Sequence, residues 1–224
     1  MTTSRRATRD AGKATRDALL RAATEVFTEV GETASVAQIC ARADAFPNQV
    51  TYYFGSKEQL FVEVACAAVL RAGRHAEEAA ASSATVRDYT RTLVETLLGP
   101  QARGVELFTR ALLLVPRRTD LRPYITDTLT TLHDRGEAAL LDTLVRTGWQ
   151  LRADIGVEAR AFWSAIFGLT VQNAAVANES GADELGASVA DAVTIVFTNM
   201  QIPEQVLDRP LRPTTVPATG KAAR

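Results

Sequence analysis

From about residue 13 to residue 200 the apolar residues recur at every third or fourth position, and almost no stretch alternates at two. That period buries one face of a helix and cannot bury one face of a strand, so the chain is committed to helices packed on helices, an all-α fold. Leu19, Leu20, Ala23, Phe27 and Val30 form one stripe over residues 13–30, ending at Gly31, a residue suited to a left-handed helix cap. A long helix is expected from Ser56, carrying Leu60, Phe61, Val64, Ala68 and Val69. Further helices are expected at about 85–98, 102–115, 120–147, 157–178 and 183–200, with breaks at Gly99-Pro100, Pro116 and Gly148. Gly136 inside the segment 120–147 predicts a bend or a split there. Pro203, Pro210, Pro213 and Pro217 among Thr, Gly and small residues predict an unstructured tail over 203–224.

Between the first helix and the long one, residues 35–57 read as two short helices joined by a tight turn. Ser35 with Gln38 three residues later is a capping box, in which each side chain satisfies an orphan backbone donor of the first turn. Val36, Ile39, Cys40 and Ala43 then share one face. Pro47 suits the first position of the second helix, because its locked φ is already helical and its missing N–H had no partner to lose. A helix of about two turns is not stable alone. Its role is to present side chains from a scaffold, which is the logic of a helix-turn-helix.

The run Val50-Thr51-Tyr52-Tyr53-Phe54-Gly55-Ser56-Lys57-Glu58-Gln59-Leu60, preceded by Val36-Ala37-Gln38-Ile39 and by a helix closing on Phe27 and Gly31, resembles the DNA-binding domain of TetR-family transcriptional regulators. The likeness covers about residues 13–65 and fixes many residue types at fixed spacing. It departs from the family wording at Asp44, where Gly is common in the turn, at Phe46, where a small polar residue is common, and at Thr51, where an aromatic is common. Asp tolerates the left-handed conformation better than most non-glycine residues, so the turn can survive.

The resemblance implies a division into a basic flexible arm (1–12), a helix-turn-helix domain (13–57), a helical ligand-binding and dimerisation domain (58–202) and the Pro-rich tail (203–224). It also implies double-stranded operator DNA as a partner. Gln49 is the best base-edge candidate, since a carboxamide pairs bidentately with adenine, and Asn48 follows it; either side chain can instead cap locally. Tyr52 and Tyr53 fit phosphate or sugar contacts, with core packing the rival for one of them. Lys57, in the first turn of the long helix, is expected to bridge a phosphate to that helix start. Ser35, Thr33, Arg42, Pro47 and Thr51 complete the expected DNA surface.

Formal net charge is only −1, yet Arg5, Arg6, Arg9, Lys13, Arg16 and Arg21 crowd the first 21 residues against Asp10 and Asp17. A basic arm beside a DNA-binding unit follows phosphates or enters a minor groove, adding salt-dependent affinity. Cys40 and Cys66, the two cysteines, have no metal-like spacing to each other or to His75 and His133, which fits a reduced cytoplasmic protein without a cofactor. No apolar stretch is long enough to span a bilayer.

In the body, Phe162, Trp163, Ile166, Phe167, Thr170, Val171 and Ala174 make a stripe too broad for one neighbour, and Val189, Ala192, Val193, Val196 and Phe197 make another. A homodimer closed by a four-helix bundle is one result, and the one the resemblance implies, with Phe167, Thr170, Val189, Val193, Val196 and Phe197 as interface candidates; the alternative is that all this surface is the core of a single protomer. By resemblance the body also holds a small hydrophobic or amphipathic effector, with Phe108, Leu112, Tyr124, His133, Trp149, Phe162, Trp163 and Gln172 as candidate lining residues. His133 and Gln172 are the directional polar groups among them. The competing classes are an enzyme, for which neither histidine has a nucleophile or carboxylate pair beside it, and a helical adaptor that has lost DNA binding.

Overall fold

The computed structural model describes residues 2–151, 153–176 and 188–211, with side chains described from residue 11 onward. Among these residues ten α-helices follow in order: α1 (Thr2–Val30), α2 (Val36–Ala43), α3 (Pro47–Phe54), α4 (Lys57–Ala80), α5 (Val86–Leu98), α6 (Ala102–Leu114), α7 (Arg122–Thr147), α8 (Ile155–Val176), α9 (Val189–Asn199) and α10 (Glu204–Leu207). The all-α expectation holds.

Helices α1 to α3 form a small head. Leu19, Ala23 and Phe27 of α1, Ile39 and Cys40 of α2, and Val50 and Phe54 of α3 are buried together with Leu60 and Phe61 at the start of α4. Phe27 and Phe61 meet edge to face with centroids 5.1 Å apart. The same cluster continues without interruption to Phe108 in α6, Ile166 in α8 and Val196 in α9. One core therefore serves head and body, and α4 is the rod through it.

Local chemistry ends the elements where the residues require it. Gly31 has φ 71° and lies so close to Arg110 that an added Cβ would stand 3.2 Å from its Nη1. The positive φ favours glycine there, while the Arg110 side chain has room to shift by the few tenths of an ångström that a Cβ would need. Asp44 closes α2 in the left-handed conformation at φ 50° and ψ 53°. The departure from glycine in the turn leaves its shape intact.

Three expectations are corrected. The backbone of α1 is helical from Thr2, so residues 2–12 continue a helix where a flexible arm was expected, and residue 1 lies outside the described residues; once residues 13–30 have nucleated a helix, each further residue extends it at no nucleation cost. Helix α7 runs unbroken through Gly136, whose small size serves a close approach instead: a Cβ there would lie 3.3 Å from that of Ala159 in α8. Residues 203–211 are not an unstructured tail. Val206, Leu207 and Leu211 are buried with Val86, Leu140 and Trp149 in a second apolar cluster. The segment is tied down by Leu211 N–H to Ala84 O (2.9 Å), Val86 N–H to Arg209 O (3.3 Å), Arg209 Nη1 to Thr147 O (2.7 Å) and Arg146 Nη1 to Leu211 O (3.0 Å). Residues 212–224, the remainder of the expected tail, lie outside the described residues, as do 177–187, where parts of the segments 157–178 and 183–200 fall.

Candidate nucleic-acid interface and body cavity

The motif is built as its residues dictate. Ser35 Oγ accepts from the Gln38 amide (3.2 Å) and Gln38 Oε1 accepts from the Ser35 amide (2.8 Å), closing the expected capping box. Arg42 pairs with Glu29 (2.5 Å) and Glu25 (3.6 Å), clamping the solvent side of α2 to α1. That pairing holds the Glu29 carboxyl below the usual carboxylate range. Thr33 donates to Val30 O (2.8 Å) within its own turn.

Helix α3 divides by face. Val50 and Phe54 are buried, and Arg16 lies over the Phe54 ring at 4.8 Å while its guanidinium pairs with Glu63 at 2.6 Å. Pro47, Asn48 and Thr51 are exposed, with Phe46 73% and Tyr52 80% exposed beside them. Tyr53 is half-buried, edge to face with Tyr52 at 4.8 Å, its hydroxyl directed at Gly12 of α1. The two tyrosines thus separate, one packed and one presented. Gln49 is half-buried, and its Oε1 accepts from the Phe46 amide at 2.9 Å. Lys57 Nζ donates to Glu32 O (2.9 Å) and Ala34 O (3.1 Å), which commits much of its donor capacity to the loop before α2.

The head meets the body through polar side chains. Arg103 Nε donates to Thr28 O (2.7 Å), Arg110 pairs with Glu32 (3.5 Å), and both arginines share Glu106 at 2.6 Å each. Arg118 reaches Glu58 (3.3 Å), and Gln59 Nε2 donates to Tyr124 Oη (2.8 Å). Helix α6 therefore grips the end of α1 and the turn after it, while Arg118 and Tyr124 hold the start of α4 beside the head.

At the opposite end of α4, helices α4, α5, α7 and α8 enclose a cavity of about 80 Å³. Gly73, Ala76 and Glu77 of α4, Tyr89, Thr90, Leu93 and Leu97 of α5, Gly136, Ala139, Leu140 and Thr143 of α7, and Ala159, Phe162 and Trp163 of α8 line it, with Trp149, Met200 and Ile202 closing one side. The wall is mostly apolar. Burial raises the Glu77 carboxyl above the ordinary range and pushes the Tyr89 phenol up to about 12, so Tyr89 is a neutral hydroxyl there.

Of the eight expected ligand residues, Trp149, Phe162 and Trp163 line this cavity. Phe108 is fully buried against Phe167, Leu112 is half-buried on the core, and Tyr124 stands at the head junction. His133 is half-buried on α7 outside the cavity wall, its imidazole pKa lowered by burial, and Gln172 is exposed on α8. The polar groups at the wall are instead Glu77, Tyr89, Thr90 and Thr143. Tyr89, Leu93 and Leu97, spaced by four, were the signal for the α5 wall, and the sequence reading did not single them out.

Among the expected dimer residues, Val193 and Val196 are buried within the protomer, Thr170 is buried with its hydroxyl on Ile166 O (2.8 Å), and Phe167 and Phe197 are half-buried. Val189 is 44% exposed; Val171 and Ile195 on α8 and α9 are exposed to a similar degree.

Among the described residues no group of three or more His, Cys, Asp or Glu is placed to hold a metal ion, and no helix is long and apolar enough to cross a membrane. Both cysteines are buried, and burial pushes the Cys66 thiol up to about 11, leaving it protonated and unreactive at neutral pH.

Residues 19–64 match the family described as bacterial regulatory proteins, tetR family, and residues 86–197 match the bacterial transcriptional repressor C-terminal family. No curated protein sequence matches the chain. Among solved structures, a protein from Rhodococcus sp. RHA1 assigned as a transcriptional regulator is 59% identical over 87% of this chain and 99% of its own, with TM-score 0.79. The multidrug binding protein EbrR, solved with imidazole, is 22% identical over 84% of this chain and 91% of its own, TM-score 0.57. FadR from Bacillus subtilis, solved with stearoyl-CoA, is 15% identical over 82% of this chain and 96% of its own, TM-score 0.54. The last two likenesses concern the fold.

Proposed function

This chain belongs to the TetR family of bacterial transcriptional regulators, and on that footing we propose that it is a dimeric repressor, released from a palindromic operator by a small apolar or amphipathic effector. The observation that carries the reading is the span of α4. Its first residue, Lys57, is hydrogen-bonded to the loop before α2, and Gly73, Ala76 and Glu77 of the same unbroken helix line the cavity. Gly73 lies sixteen helical steps beyond Lys57, about 24 Å at 1.5 Å per residue. A molecule that displaces the cavity wall pushes directly on the rod that carries the reading head.

The exposed face of α3 supports DNA reading by Asn48, Thr51 and Tyr52, with Pro47 exposed at the start of the helix and Tyr53 held behind. Lys57 acts first as a brace, with its charge near the phosphates. The helical residues 2–12 place Arg5, Arg6 and Arg9 on the same end of the chain as the motif. Val171, Val189 and Ile195 are the outward apolar residues of α8 and α9 that a partner protomer would cover. A two-fold dimer then sets two copies of α3 about 34 Å apart, one turn of DNA. Such a protein works in the cytoplasm, where its operator lies.

The cavity favours a compact, largely apolar effector. A volume of about 80 Å³ is below the ~300–1,000 Å³ of drug-sized sites, so a larger molecule must part the walls. That parting is the differential interaction that release requires. An effector that prefers the DNA-incompatible spacing a hundredfold shifts the operator equilibrium by about 2.7 kcal/mol. EbrR was solved with imidazole and FadR with stearoyl-CoA, two ligands of very different size on proteins of this fold.

The test is a salt-titrated footprint of the full-length protein on DNA upstream of its own coding region. A symmetric protected site with steep salt dependence supports the reading. A folded dimer that protects no sequence there, and selects none from a pool of random duplexes that would include an operator lying elsewhere, contradicts it and favours the adaptor.

A further inference from the structure

The start of α3 breaks two local preferences at one residue. A helix N-cap favours Ser, Thr, Asp or Asn, whose side-chain oxygen accepts from an amide of the first turn. Helix α3 has Phe46 there, which offers no acceptor, and the turn is held instead by Gln49 Oε1 on the Phe46 amide at 2.9 Å. A phenyl ring is also normally turned inward, whereas that of Phe46 is 73% exposed while Val50 and Phe54 of the same short helix are buried. Choices that oppose local stability are retained where a function needs them.

The hydrogen bond from Phe46 to Gln49 changes what α3 can read. Bidentate pairing with adenine needs a carboxamide oxygen to accept from the base as well as an amide to donate to it. With one lone pair of its oxygen on the Phe46 amide, the half-buried Gln49 can pair bidentately with adenine only by breaking or sharing that cap. The N-terminal residues of a recognition helix are the ones that reach base edges, and the most exposed large side chain at that end of α3 is Phe46. A phenyl ring neither donates nor accepts a strong hydrogen bond. The major-groove feature it can recognise is the C5-methyl group of thymine, which gains by leaving water for an apolar surface.

Building on the operator-binding role proposed above, we infer that Phe46 is a specificity-determining residue that selects thymine in each half-site by apolar contact with its C5-methyl group. Phe46 does this in place of adenine selection by Gln49.

The experiment replaces each thymine of the footprinted operator in turn by deoxyuridine, which removes the methyl group and leaves the pairing edge unchanged. Affinities of the full-length wild type, Phe46→Ala and Phe46→Leu are measured, with circular dichroism confirming that each variant is folded. At one or two thymines per half-site the wild type loses affinity roughly fourfold, the worth of one buried methyl or methylene group. Phe46→Ala binds the thymine operator more weakly and no longer distinguishes it from the deoxyuridine form, and Phe46→Leu retains part of the discrimination. Equal wild-type affinity for thymine and deoxyuridine at every position overturns the inference, as does undiminished discrimination by Phe46→Ala, while the operator-binding role survives both results. Absence of any sequence-specific binding overturns that role and this inference with it.

Discussion

Lys57 Nζ donates to the main-chain oxygen of Ala34 at 3.1 Å, joining the first turn of α4 to the residue just before the N-cap of α2. A second bond from the same ammonium, to Glu32 O at 2.9 Å, holds the turn between α1 and α2. Hydrogen bonds to a charged donor are worth about 1.5–3 kcal/mol when shielded and less when partly wet, as here. Lys57→Met is expected to destabilise the protein by about 1–2 kcal/mol, read as a lowered urea midpoint with unchanged m-value. An unchanged midpoint would return Lys57 to a purely DNA-facing role.

Phe46→Ser supplies the side-chain acceptor that α3 lacks. Replacing a non-capping residue by a good N-cap is worth about 1 kcal/mol, so this variant is expected to melt at a higher temperature than the wild type while binding its operator more weakly. Operator binding that is unchanged or tighter would show that Phe46 does not contact the operator, and an unchanged melting temperature would show that the missing cap costs α3 nothing.

Ala139 lies in the wall of the cavity and is half-buried. Ala139→Leu is expected to fill that space, at an overpacking cost of up to about 1–3 kcal/mol, and to abolish quenching of tryptophan fluorescence by a ligand. Operator affinity is expected to persist, because Ala139 is remote from the head. Loss of DNA binding together with ligand binding would contradict the separation of the two sites.

Arg87 grips residues 204–208 through Asp208 (2.8 Å) and Glu204 (3.2 Å), and its guanidinium holds the Asp208 carboxyl below the usual aspartate range. A carboxylate whose folded pKa is depressed contributes stability above its unfolded value, about 4, and loses it as pH falls through the folded value. The difference in melting temperature between wild type and Arg87→Gln is therefore expected to be present at pH 7 and to fade below about pH 4. Glu77 and Glu158 act in the opposite sense. Burial raises both, so they oppose folding at neutral pH and that penalty shrinks on acidification. A difference for Arg87→Gln that grew toward low pH would mean the ion pairs do not hold this segment.

The helices were legible because period and caps agreed: Ser35 with Gln38, Pro47, and Gly31 all stand where the sequence assigns them. Residues 203–211 were not. Their Pro content is that of a loop, and what orders them is burial of Val206, Leu207 and Leu211 on α5 and α7, a contact between residues more than a hundred positions apart in part of its extent. Gly136 misled for a related reason, since its meaning lies in Ala159 across the interface and not in its own helix. At the candidate site, residue types pointed to a face of α3 that the fold leaves exposed, but the competition between Gln49 reading a base and Gln49 capping Phe46 depends on rotamer and geometry. In the body, aromatic residues marked Trp149, Phe162 and Trp163, whereas the polar part of the cavity comes from Glu77 and Thr90, which look like ordinary helix residues in sequence.

Coupling between the cavity and the reading head is the central claim, and the chain carries its own probe for it. Its two tryptophans, Trp149 and Trp163, both lie in the cavity wall and neither is in the head. A ligand found by thermal-shift screening is titrated by tryptophan fluorescence with and without saturating operator DNA, and operator affinity is measured with and without saturating ligand. Linkage requires the two ratios to be equal, and α4 as a shared rod predicts a weakening of about 5–150-fold in each direction. Ligand affinity that is the same on free and operator-bound protein would contradict the account.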